Sequence, residues 1–164
     1  METQHEFLME AYFQKKDVSE RNKILNHLLC NTPTEAKDFF YNVFKKERYL
    51  DMKLSAVRGY AVYASEAEVN ALMNKLLELL KKIPDKTPYA YGIYEPMRSV
   101  FLMPYLIEHY DYECFHIFNR QLEQQYNSMP DCFKNIFTLD ELGNLRQLKD
   151  FEEVRQTWND FWGR

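Results

Sequence analysis

The chain has 164 residues, of which 46% are apolar and 28% charged, and its net charge is −4. These values are typical of one globular domain, exclude a disordered chain, and argue against nucleic-acid binding, which usually needs a basic surface. No apolar run reaches the roughly 18 residues of a membrane span, and the N-terminus has no secretory-signal pattern. We therefore expect a single cytoplasmic domain over residues 1–164 that does not enter a membrane.

Helix starts are marked by six Ser/Thr/Asp-x-x-Glu capping boxes, in which the first side chain and the Glu each bond a free backbone amide. They are Thr3–Glu6, Asp17–Glu20, Thr32–Glu35, Ser65–Glu68, Thr138–Glu141 and Asp150–Glu153. Apolar residues follow these starts at helical spacing, and no segment alternates convincingly at the period of a strand.

The spacing predicts helices over 3–15, 18–30, 33–47, 51–64, 66–82, 95–110, 112–128, 131–137, 139–149 and 151–162. Pro33 is suited to the first position of the third helix, and Pro104 predicts a kink near Phe101. Gly143 weakens the ninth helix. Residues 83–94 form a predicted surface loop that is long enough to suggest a function.

The predicted fold class is all-α, because helices joined by short connections pack as antiparallel neighbours. Helix pairs of this size form either a short stacked α-solenoid or a compact bundle. Small residues on the fourth helix favour close packing: Leu54, Val57, Ala61 and Ala64. The segment 51–64, with Arg58, resembles the second helix of a HEAT-like repeat.

The residues that could bind a metal or act as catalysts are concentrated between Glu108 and His116. A metal site would use His109 and His116 with Cys114 or a carboxylate, but this spacing does not match the usual zinc pattern. Cys114 is expected to pack in the core, and Asp111 to cap a helix. The three cysteines, Cys30, Cys114 and Cys132, are predicted to be reduced and buried.

Catalytic signatures are weak along the whole sequence. The four glycines are isolated, so there is no phosphate-binding loop, and adjacent carboxylates such as Glu152 and Glu153 complement helix N-termini. We therefore predict a binding protein rather than an enzyme, with no metal and no cofactor.

Tyrosines and carboxylates cluster between residues 89 and 113. Tyrosine gives a large, rigid contact area at protein interfaces, and neighbouring carboxylates suit a partner rich in Lys and Arg. Residues 108–164 are also acidic, with 6 Lys and Arg against 11 Asp and Glu. The alternative is that these rings only pack the loop onto the helices. The predicted partner-binding residues are Tyr91, Tyr94, Glu95, Glu108, Tyr110, Asp111, Tyr112 and Glu113.

In size, charge and HEAT-like helical pattern, with MKLSAVRGYAVYA at 52–64 as its local signature, the chain resembles immunity proteins of contact-dependent growth inhibition and related polymorphic-toxin systems. The resemblance implies a one-to-one complex with a cognate toxin domain, a basic nuclease or RNase, whose active site or adjacent exosite is covered. The alternatives are a HEAT-like scaffold and a nucleic-acid-processing protein similar to alkylation-repair enzymes. The acidic charge argues against the latter.

Overall fold

The computed structural model describes residues 2–82, 102–103, 105–127, 137–139, 141, 145–147, 156 and 160. The fold class is all-α, as the helical periodicity predicted, with packed helix pairs and one short hairpin. The helices of this part are α1 Glu2–Gln14, α2 Val18–Cys30, α3 Lys37–Lys46, α4 Leu50–Ala61, α5 Glu66–Lys81 and α6 Glu113–Asn127, with further helical residues at 105–110. None of the described helices is long and apolar enough to span a membrane.

Contacts between residues group the chain into two compact units. Unit 1 comprises Met1–Arg48 and Met52–Leu72, and unit 2 comprises Tyr49–Asp51 and Met73–Arg164. The assignment of residues 1–164 to one domain stays a prediction.

Two of the predicted helix starts are confirmed by their hydrogen bonds. Asp17 Oδ1 accepts from the amides of Ser19 at 2.7 Å and Glu20 at 3.3 Å at the start of α2. At the start of α5, the Glu68 amide donates to Ser65 Oγ at 3.3 Å, and the Ser65 amide donates to Glu68 Oε1 at 3.0 Å. These reciprocal bonds satisfy amides that have no partner inside the helix.

The predicted start of the third helix at Pro33 is wrong, because α3 begins at Lys37 with Ala36 as its N-cap. Residues 32 and 33 form hydrogen bonds other than those of a helix start. The Thr32 hydroxyl donates back to the Leu29 carbonyl, and the Tyr63 hydroxyl donates to the Pro33 carbonyl. The Thr32–Glu35 capping box is therefore not formed.

Other predicted starts and ends also need correction. The start of α1 at Glu2 places Thr3 inside the helix rather than before it. The predicted helix over 139–149 is wrong, because β1 (Phe137–Leu139) pairs antiparallel with β2 (Leu145–Gln147). Gly143 and Asn144, which lie between these strands in sequence, are typical turn residues, and three-residue strands are too short to show an alternating pattern. Thr138 therefore lies in a strand, where it cannot cap a helix.

Several predictions fall outside the described residues. These are the 83–94 loop, the kink near Phe101, most of the 131–137 helix, the Asp150–Glu153 box and Cys132. Gln156 and Asp160, from the predicted 151–162 helix, are helical, and the Gln156 amide donates to Asp160 Oδ1 at 2.7 Å.

The core of unit 1 forms from the apolar faces that the periodicity predicted. The buried side chains of α3 are Phe39, Phe40, Val43 and Phe44. Cys114, in unit 2, is buried as expected. The prediction for Cys30 is wrong, because its thiol is exposed at the last residue of α2.

A buried carboxylate connects the first three helices of unit 1. Glu47, at the C-cap of α3, is only 6% exposed. Its Oε1 accepts from the Tyr12 hydroxyl at 2.7 Å and from Arg21 Nε at 2.8 Å. Burial, together with the hydrogen bond to Glu47, raises the pKa of Tyr12 above its ordinary value. The phenol therefore remains a hydrogen-bond donor to this charge.

Helices α3 and α4 approach closely at Gly59. A Cβ atom at this position would overlap the ring of Phe40, which is completely buried. Gly59, which was not among the predicted small residues of α4, therefore permits this close contact.

We expect Tyr12→Phe to lower the free energy of unfolding by about 2 kcal/mol, because it removes a hydrogen bond to a buried charge. Urea denaturation measures this change. Tyr41→Phe is the matched control, because the Tyr41 hydroxyl donates no hydrogen bond within the described part of the chain. Equal stability of the two variants would contradict a supporting role for the Tyr12 hydroxyl.

We expect Gly59→Ala to lower the free energy of unfolding by about 2 kcal/mol through overpacking, although alanine favours helix by about 1 kcal/mol. The same denaturation experiment tests this substitution. In a Phe40→Leu background, where the ring is absent, Gly59→Ala should instead be neutral or stabilising. A loss of the same size in both backgrounds would show that the ring is not the cause.

Candidate functional site

The predicted interface residues that the structure describes lie at a sharp connection in unit 2, which we call the corner (residues 108–113). Helical residues 105–110 end where the Asp111 amide donates to the Ile107 carbonyl at 2.9 Å. Asp111 has a φ of 49°, a left-handed conformation that Asp tolerates better than most residues. Helix α6 begins two residues later, at Glu113.

Carboxylates and tyrosine rings alternate along the corner. Glu108, Asp111 and Glu113 are exposed, whereas Tyr110 and Tyr112 are half-buried. The rings of Tyr110 and Tyr112 lie 5.6 Å apart, and the Tyr112 ring stacks on the buried Phe115 at 5.5 Å. The two tyrosines are therefore anchored, and acidic groups surround them.

Asp111 does not cap α6 as predicted. Its Oδ1 instead accepts from His116 Nε2 at 2.6 Å, and Glu113 Oε1 accepts from Arg120 Nη2 at 3.1 Å. The carboxylates of both pairs are more than two thirds exposed, at 78% for Asp111 and 72% for Glu113. Pairs this exposed contribute little to stability, because water and salt screen them.

The histidines of this region are occupied by interactions within the chain. The His109 ring stacks on Tyr105 at 3.9 Å, and its Nδ1 donates to the Tyr105 carbonyl at 3.0 Å. Cys114 is buried, as is the next residue, Phe115. Within the described ranges, no group of three His, Cys, Asp or Glu side chains is placed to hold a metal ion.

The structure thus describes five of the eight predicted partner-binding residues, all in the corner. Tyr91, Tyr94 and Glu95 lie outside the described residues. Their contribution to an interface stays a prediction.

A second candidate surface, which the sequence reasoning missed, lies in unit 1. An open groove of about 620 Å³ runs between α1 and the start of α3, and a cavity of about 350 Å³ shares some of its lining. We call the larger one the acidic groove. It is lined by Glu6, Met9, Glu10, Phe13, Glu35, Ala36, Lys37, Asp38, Phe39, Asn42 and Tyr63.

The acidic groove combines exposed carboxylates with apolar surface. Glu6, Glu10, Glu35 and Asp38 are all exposed, whereas Met9 is half-buried. Phe13 is 38% exposed, and its ring packs edge-on against Phe39 at 5.6 Å. A ligand in this groove would meet negative charge and apolar surface together.

Lys37 is the one cation in the groove lining, and Glu68 neutralises it. Its Nζ lies 2.7 Å from Glu68 Oε2. The hydrogen bond from Lys37, assisted by bonds from Ser65, lowers the pKa of Glu68 to about 2, and the bond to Glu68 raises the pKa of Lys37. The negative field of the groove is therefore not offset by a free ammonium group in its lining.

The sequence did contain a signal for the groove. Glu6, Glu10 and Phe13 are spaced four and three apart, which places them on one face of a helix. Glu6 and Glu35 were assigned to capping boxes, so their exposed carboxylates were not considered for binding.

No protein-family model, curated protein or solved structure matches this chain. The function is therefore argued from the residues alone.

We expect the Lys37–Glu68 pair to make the free energy of unfolding depend on pH. Because the pKa of Glu68 is lower in the folded chain than its ordinary value of 4.5, the pair stabilises the fold above about pH 4.5. This contribution is lost as the pH falls from 4.5 toward 2. Urea denaturation across this range should show a steeper loss for the wild type than for Glu68→Gln.

Glu66→Gln is the matched control, because Glu66 is exposed on the same helix and makes no ion pair within the described residues. It should keep the pH dependence of the wild type. If Glu68→Gln also kept it, the Lys37–Glu68 pair would not be the cause.

Proposed function

We propose that the chain is a non-enzymatic immunity protein that binds and neutralises a basic toxin domain, a nuclease or RNase, in a one-to-one complex. The corner is the proposed part of the interface. The proposal is carried by one observation, the presence of three exposed carboxylates around two anchored tyrosines between residues 108 and 113.

The chemistry of the corner suits a surface rich in Lys and Arg. Tyrosine rings provide rigid contact area and stack on guanidinium groups, while carboxylates accept their hydrogen bonds. A nuclease active site must attract phosphate, so it usually has a positive potential that an acidic surface complements. The charge and the rings of the corner thus match those that would cover such a site.

The pairs inside the corner do not prevent this use. Asp111 and Glu113 are exposed and bond the half-buried His116 and the exposed Arg120, and exposed pairs contribute at most about 1 kcal/mol each. An incoming guanidinium can therefore replace either partner at small cost. Glu108 forms no ion pair within the described residues, so it is available to a partner directly.

The first experiment captures the tagged full-length chain from its native host and identifies bound proteins by mass spectrometry. We expect a stoichiometric basic protein encoded by an adjacent gene, whose expression alone stops growth. Co-expression of the chain should restore growth. Recovery of the chain alone, or with nucleic acid, would contradict the immunity function and direct attention to the scaffold and nucleic-acid alternatives.

The interface assignment is tested by reversing one charge. Glu108→Lys should weaken the captured complex about tenfold, because it places like charges opposite each other. Isothermal titration calorimetry measures this change. Glu66→Lys is the control, because it reverses the charge of an exposed carboxylate on α5, outside the corner. It should leave the affinity near that of the wild type. Equal effects would mean that the corner is not the interface, even if the immunity function held.

A further inference from the structure

The acidic groove combines partly exposed apolar side chains with exposed carboxylates. Its floor includes Met9 and Phe13, which stay partly exposed although they lie beside the core residue Phe39. Its rim carries four carboxylates, of which Glu6, Glu10 and Glu35 form no hydrogen bond or ion pair within the described part of the chain. Met9 and the carboxylates therefore remain available for contact, whereas the Phe13 ring is already approached by the Lys46 ammonium, which lies 4.6 Å from the ring centre.

The four carboxylates of the groove outnumber the two ammonium groups near it, which belong to Lys37 and to Lys46 over the Phe13 ring. Lys37 is held by Glu68 at 2.7 Å, and its Nζ also lies 5.9 Å from the centre of the Tyr60 ring. Like charges that share a groove repel one another, so a cation entering it relieves that repulsion as well as gaining its own attraction.

We propose that the acidic groove binds an amphipathic helix of a partner protein, with Lys or Arg on one side and apolar side chains on the other. Charge complementarity selects the cationic side. The apolar floor selects a partner that also buries hydrophobic groups, which a free metal ion or a polyamine does not. Anionic lipid headgroups and a second copy of the same groove would both be repelled by the rim.

The spacing of the groove residues fits a helical partner. Glu6, Glu10 and Phe13 follow one face of α1, and each helical turn advances about 5.4 Å. Helices that lie in such grooves present anchors at intervals of three and four residues. The carboxylates at positions 6 and 10 can thus meet basic residues one turn apart.

This inference does not rest on the proposed function. Every lining residue of the groove belongs to unit 1, whereas the corner belongs to unit 2. The two surfaces can be tested with separate variants, and either assignment can fail without the other.

The test titrates the full-length, isotopically labelled chain with a synthetic amphipathic helical peptide of Lys and Leu, followed by nuclear magnetic resonance. Two comparison peptides replace Lys with Glu, or Leu with Ser. We expect saturable shifts at residues 6–13 and 35–39 with the Lys–Leu peptide, and much weaker binding of both others. Affinity should fall as salt is raised, because the attraction is screened.

Paired variants locate the binding. Glu6→Gln combined with Glu10→Gln should weaken the Lys–Leu peptide about fivefold, in keeping with two exposed charge pairs. Met9→Gln should weaken it by a similar factor, because it replaces apolar floor with an amide of similar length. Glu20→Gln combined with Glu66→Gln removes the same charge from exposed positions outside the groove lining and should leave affinity near that of the wild type.

Three results would overturn the proposal. They are shifts outside the groove, equal affinity for the peptide with Glu in place of Lys, or equal weakening by the groove pair and the control pair. Far-UV circular dichroism of each variant establishes that it is folded. If the groove variants are folded and bind the Lys–Leu peptide as tightly as the wild type does, this result also counts against the site.

Discussion

The carboxylate of Glu47 is the contact on which the arrangement of the first three helices depends. A buried charge is tolerated only when it is paired, and here Tyr12 of α1 and Arg21 of α2 both bond the same oxygen. Arg21 also donates through Nη1 to the carbonyls of Lys15 and Lys16, just beyond α1. One guanidinium therefore fixes the end of α1, the position of α2 and the end of α3 together.

The opposite end of α3 is fixed by different forces, and these create the acidic groove. Tyr63 bonds the Pro33 carbonyl, residues 33–36 remain outside the helix, and Glu35 and Ala36 line the groove. Lys37, in the first turn of α3, bonds to Glu68 in the first turn of α5. Between these ends, the absence of a side chain at Gly59 brings α4 against Phe40. The groove is thus a consequence of how α3 is held.

The fold class and the apolar faces were predictable because they depend on short-range spacing. Phe39, Phe40, Val43 and Phe44 are buried as the helical period requires, and the Ser65–Glu68 box forms as its residues predict. Two of the errors arise where a side chain outside the assumed capping pattern takes a local group. Tyr63 lies 30 residues from Pro33, and His116 takes the Asp111 carboxylate that a local rule assigned to capping. The acidic groove was missed because it unites residues from 6 to 63 that only tertiary packing brings together.

The two acidic surfaces differ in how their carboxylates are balanced, and this difference bears on what each can bind. In the corner, Asp111 and Glu113 already have hydrogen-bonding partners, so an incoming cation must displace His116 or Arg120. In the acidic groove, Glu6, Glu10 and Glu35 have no partner within the described residues, so a cation adds contacts without breaking any. Exchange of exposed pairs favours selectivity for a guanidinium that bonds two oxygens at once, because only such a group regains what is lost. Unpaired carboxylates beside apolar surface accept many kinds of cation. The groove is therefore expected to select a ligand mainly by the hydrophobic groups that accompany its positive charge. The corner is therefore suited to bind a protein surface with a particular arrangement of positive charges, and the groove to bind a single amphipathic helix.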